Sequence, residues 1–131
     1  MVLAACSAEK LSLEELEPLP VNYREIVATH VRNSFIDPYS IRDASLTSPV
    51  PGELYVERVV GAYEKGWLVC LKANAKNRSG GYSGQMQTVM ILRGGTVVNS
   101  LSGPNIQLVA DRKCDKSLYQ PYPDIEAKRS G

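Results

Sequence analysis

The stretch VNYREIVATHVRNSFIDPYS, residues 21–40, decides how this chain folds. Within it Tyr23, Ile26, Val27, His30, Val31 and Phe35 recur at the spacing that puts side chains on one face of an α-helix. Asn22 stands where an N-cap is needed, Glu25 follows three residues on, and Val21 against Ile26 has the form of a hydrophobic staple. Pro38 closes the segment, because the residue before a proline is pushed out of the helical region. From residue 40 onward the period changes to two. Ser40–Ser48 predicts a first strand, broken by Pro49, Pro51 and Gly52. Leu54–Tyr63 and Trp67–Ala75 predict two long strands around the turn sequence Glu64-Lys65-Gly66. Met86–Arg93 and Thr96–Leu101 predict a second hairpin around Gly94-Gly95, and Ile106–Ala110 a last strand before Cys114. A helix followed by hairpin-linked strands implies an α+β fold, one N-terminal amphipathic helix packed on an antiparallel β-sheet of about four to six strands.

Alternation sorts the faces of that sheet. Trp67, Val69, Leu71, Ala73 and Ala75 fall on one side and should meet the helix, while Cys70 points the other way with Leu68, Lys72, Asn74 and Lys76. With 131 residues, 44% of them hydrophobic, the chain suits one compact domain. Its expected limits are 21–114. Before it, residues 7–20 combine charges with Pro18 and Pro20 and read as a tether; after it, 115–131 carry Pro121, Pro123 and mixed charges and read as an irregular tail. Fifteen basic against fourteen acidic residues leave a formal charge of +1, too little long-range field to attract nucleic acid or a membrane surface. No run reaches the length of a transmembrane helix.

Chemistry-bearing residues are sparse. His30 is the only histidine, lies on the apolar stripe, and reads as a partly buried, hydrogen-bonded core residue; with no second histidine a zinc site is not expected. Gly81-Tyr82-Ser83-Gly84-Gln85 approaches the Gly-x-Ser-x-Gly nucleophile elbow, but Gln85 takes the last glycine position and the segment joins two antiparallel strands. The chain is therefore expected to be non-enzymatic and to need no cofactor. Gly80, Gly81 and Gly84 instead suggest a permissive loop presenting Tyr82, with Lys76 and Arg78 as a basic rim, a candidate binding loop for an anion, a sugar or a protein. The bland alternative is a long hairpin turn.

Leu3-Ala4-Ala5-Cys6 resembles the lipobox of bacterial lipoproteins, in which an aliphatic and two small residues precede a cysteine that receives a diacylglycerol. On this resemblance residues 1–6 are the remnant of a signal peptide, Cys6 is the lipidation site, and the protein is held to a membrane by its lipid. Only Met1 and Val2 stand upstream of the box, short of the apolar run that export requires. Ser7 is similar to the sorting residue of lipoproteins sent to the outer membrane and facing the periplasm. The spacing of Asp37–Ala44, Gly66–Cys70, Asn74–Asn77 and Gly80–Gly84 resembles a family of small, uncharacterised proteobacterial lipoproteins, which brings no activity to carry over. Ser79-Gly80-Gly81-Tyr82 resembles, more weakly, the loop that periplasmic inhibitors of C-type lysozyme insert into their target. The resemblances imply an envelope lipoprotein that binds an envelope protein or glycan, the alternatives being an inhibitor of a cell-wall hydrolase and a small enzyme. With Cys6 lipidated, Cys70 and Cys114 remain as an even pair, expected to form a disulfide in an oxidising periplasm. The alternative is two unpaired buried thiols.

Overall fold

A computed structural model of the chain describes residues 16–35, 37–82, 84–103 and 106–126. The fold is α+β: the described residues form two α-helices and a six-stranded antiparallel sheet. Helix α1 covers Tyr23–Ser34 and buries Ile26, Val27, Ala28 and Val31, the stripe its spacing predicts. Its start is simpler than the sequence suggests. The Asn22 side chain makes no capping bond; its carbonyl accepts from the Glu25 and Ile26 amides instead, and Val21 stands in solvent, so no staple forms.

The strands are β1 (Arg42–Thr47), β2 (Val50–Tyr55), β3 (Tyr63–Asn74), β4 (Met86–Arg93), β5 (Thr96–Ser102) and β6 (Tyr119–Pro121). The sheet runs β5-β4-β3-β1-β6, and β2 also pairs with β3. Thus β1 lies along the second half of β3 (Leu46 opposite Leu71) and β2 along the first half (Gly52 opposite Gly66). The Gly94-Gly95 hairpin between β4 and β5 forms as expected, both glycines at positive φ. The first hairpin does not. Glu64, Lys65 and Gly66 are strand residues of β3, and the chain turns at 56–62 instead. Gly66 is needed for proximity rather than for turning: a Cβ there would sit 2.5 Å from the Leu92 carbonyl oxygen of β4.

The sheet carries a core on each face. On one, α1 packs over Trp67, Val69, Leu71, Ala73, Met90 and Leu92. On the other, Leu68, Cys70, Val89, Ile91 and Leu101 meet Leu54, Ile106 and Ala110. That second face is closed by helix α2, Gln107–Lys113, where a strand over Ile106–Ala110 was expected. Ile106, Val109, Ala110 and Cys114 touch the core at intervals of three and four, a helical period that a short apolar run conceals from a period-two reading. Cys70 and Cys114 are joined by a disulfide that ties this helix to β3 and closes a loop of 44 residues.

Both ends of the domain lie beyond 21–114. Leu16 packs on the first core, and the Glu17 carbonyl accepts the Trp67 indole N–H at 3.0 Å, so the described part of the expected tether is bound to the sheet. The expected tail supplies β6, which pairs with β1, followed by Tyr122 and Ile125 in the first core. Tyr122 has no solvent exposure; its N–H donates to the Ala44 carbonyl and its hydroxyl to the Arg24 carbonyl of α1. Outside, Arg24 pairs with Asp124 at 2.8 Å, an ion pair that raises the guanidinium pKa and lowers that of the carboxyl. The segment is core rather than tail, because buried area and satisfied backbone groups replace the missing local pattern.

Candidate functional site

The glycine-rich loop is internally built. Asn77 organises it: its Oδ1 accepts from the amides of Ser79 (2.9 Å) and Gly81 (3.3 Å), and its N–H donates to the Gly81 carbonyl. Gly80 and Gly84 take φ of 84° and 93°, values that disfavour any side chain, so these two glycines are required by the turn. Lys76 bridges to Tyr82 across the loop, while Gly81 and Arg78 face solvent.

Tyr82 keeps an exposed ring but is tied down at its hydroxyl. Its hydroxyl donates to the Ser40 carbonyl at 2.8 Å, and the Ser40 Oγ accepts from the Lys76 amide at 2.8 Å, so both sides of the loop are fastened to the segment before β1. The Arg42 guanidinium lies 3.6 Å from the ring centroid, and Lys76 Nζ lies 5.9 Å from it. The stack stands beside a bulge in β1. Asp43 sits at φ 54° between the paired residues Arg42 and Ser45, and its carbonyl accepts from the Gln85 side chain at 3.0 Å. Lys76, Tyr82 and Arg42 therefore form a small cationic rim, with Arg78 beyond it.

The loop's far end builds something else. From Gly84 it walls a cleft of about 570 Å³ between β4 and α2, lined by Gln85, Gln87, Lys72, Gln107, Asp111 and Lys116. Gln107 Nε2 donates to Asp111 Oδ1 at 2.8 Å, one helical turn apart. Lys72 lies 4.4 Å over the Tyr119 ring, and burial pushes the Tyr119 hydroxyl pKa up, partly offset by the neighbouring Gln87. Amides offer a donor and an acceptor each, so three glutamines and two ammonium groups suit a ligand rich in hydroxyl, amide or carboxylate oxygen.

Of the expected binding residues, only Gly84 reaches this cleft. Gln87, Gln107, Asp111 and Lys116 fall outside the expected binding loop, because the sequence pattern predicts a strand over Ile106–Ala110 and places residue 116 in the expected tail. A usable signal was present in the Gln107–Asp111 spacing of one helical turn. His30 is half-buried on α1, where burial lowers its pKa and the Ser34 hydroxyl lies 3.4 Å from Nδ1. It borders a second cleft of about 390 Å³ with Glu25 and Asn33. Among the described residues no three His, Cys, Asp or Glu side chains gather where a metal could bind. Cys6, the expected lipidation site, lies outside the described residues. Compared with protein families, curated proteins and solved structures, the chain matches none.

Proposed function

We propose that this protein is a cell-envelope lipoprotein, lipidated on Cys6 and held at the outer membrane facing the periplasm. It catalyses no reaction; it binds another envelope component, a glycan or a protein, in the cleft between β4 and α2. The observation that carries the proposal is the Cys70–Cys114 bridge. Structural disulfides persist in oxidising compartments and are rare in the cytosol. Of three cysteines the bridge leaves Cys6 over, directly after Leu3-Ala4-Ala5. Among the described residues no helix is long and apolar enough to cross a membrane; in this reading the lipid on Cys6 is the attachment. The cleft supports the binding role through its glutamines, two of them held on a strand and a helix that the bridged core keeps in place.

Two measurements test this. Expressed behind a complete secretion signal ending at Ala5, the protein should partition into detergent carrying a diacylglycerol on Cys6, and Cys6→Ser should release it. A soluble, unmodified wild-type chain refutes the anchor. For the cleft, a photo-crosslinker placed at Gln85 in living cells should capture an envelope component, and Gln87→Ala should reduce the capture at unchanged melting temperature. Capture that ignores Gln87→Ala removes the cleft. Lysozyme inhibition by the purified protein would select the inhibitor alternative.

A further inference from the structure

The turn between β2 and β3 is the most apolar protrusion among the described residues. Val60 is fully exposed and Val59 is 53% exposed; behind them Tyr55 and Tyr63, at 40% and 57%, face each other on the last rung of the hairpin. Single exposed hydrophobic residues are ordinary, but two valines backed by a tyrosine pair form a patch. The turn also answers its own backbone. The amides of Val56, Val59 and Ala62 donate to the carbonyls of Ala62, Val56 and Val59 respectively, which lowers the cost of taking the tip out of water. Arg58 is held at φ 67° to make this turn, a strained conformation for a side chain of that size.

The hairpin's root shares a corner of the molecule with the entry of the chain. Glu17 Oε1 accepts from the Gly94 amide at 2.7 Å, and the preceding residue, Arg93, donates to the Lys65 carbonyl and pairs with Glu64 at 2.9 Å. Glu64 directly follows Tyr63. Cys6 precedes Leu16 by ten residues, and ten residues reach at most about 35 Å.

We propose that the β2–β3 tip enters the headgroup region of the bilayer that holds the lipid on Cys6, so that the domain rests on the membrane at a second, apolar point. The inference rests on the anchor reading above. Tyrosines favour the membrane–water boundary, and the valines ahead of them would reach the acyl margin. Glu57 and Arg58, adjacent and opposite in charge, directly precede the tip valines, so contact should be as strong on neutral as on anionic lipid and indifferent to salt. The anchor confines the tip near the surface and makes weak insertion sufficient.

The test couples the full-length protein to vesicles of phosphatidylethanolamine and phosphatidylglycerol through a maleimide lipid. Only Cys6 offers a thiol, because Cys70 and Cys114 are bridged, so native lipidation is not required. Val60→Trp reports the tip, wild type gives the background of buried Trp67, and Gln85→Trp reports a surface away from it. With brominated acyl chains the Val60→Trp emission should fall by about twofold, as for a side chain at the acyl boundary, while Gln85→Trp stays unquenched. Unquenched Val60→Trp emission from protein that floats with its vesicles overturns the inference and leaves the anchor standing. Quenching in the coupled protein alongside an unmodified Cys6 in cells refutes the anchor and sustains the tip as a bilayer-contacting element.

Discussion

Tyr122→Ala tests whether the C-terminal segment belongs to the core. The substitution removes a fully buried ring from between α1 and β1, its hydroxyl bond to the Arg24 carbonyl, and the surface on which the Arg24 guanidinium rests 5.0 Å from the ring centroid. Truncating a large buried aromatic side chain costs about 3–5 kcal/mol. A domain of this size has roughly 5–15 kcal/mol in total. At about 4 °C per kcal/mol, the melting temperature should fall by about 12–20 °C. Tyr122→Phe separates packing from the hydrogen bond. It keeps the ring and removes only the hydroxyl, whose acceptor also belongs to the ladder of α1, so about 1 kcal/mol should be lost. Both variants are followed by circular dichroism on oxidised protein. The reasoning is refuted if Tyr122→Ala melts within about 2 °C of wild type, less than half a kcal/mol for this size. Burial also raises the Tyr122 hydroxyl pKa, so the unfolded chain ionises first. Stability should therefore decline above about pH 10, and Tyr122→Phe should lessen that decline.

Reducing the Cys70–Cys114 bridge opens a loop of 44 residues and should cost about 4 kcal/mol by the chain-entropy estimate; thiol titration and melting with and without reductant check this. Tyr82→Ala removes the Arg42 stack and the bond to Ser40, so it should lower stability by about 1–2 kcal/mol. An unchanged melting curve would contradict the fastened loop. His30 has its pKa lowered by burial, so the unfolded chain takes up the proton first as pH falls. Stability should be full above about pH 6.5, fall below it, and lose that dependence in His30→Gln, read from denaturation midpoints between about pH 7.5 and 5.5.

The sequence by itself determined the elements whose signal is local and repeated. Helix α1 is legible because its buried residues recur over three turns, and β4 and β5 because alternation flanks two glycines that suit the turn. Alternation in β3 also fixed which residues face α1 and sent Cys70 to the opposite side, where Cys114 does meet it. The turn at 56–62 lost to Glu64-Lys65-Gly66 because a glycine marks close backbone approach as readily as it marks a turn, and only the position of Leu92 distinguishes the two. Strand β6 has three residues, too few for a period to appear; its partner β1 is more than seventy positions earlier in the chain, and Tyr122 is recognisable as core only once α1 covers it. The cleft draws on β3, β4, α2 and Lys116, and Tyr82 is fastened by Ser40 and Arg42 from before the sheet's first bulge. Such groups share no local pattern, because what brings them together is burial and hydrogen bonding between segments distant in the chain, energies that exist only after the sheet has closed.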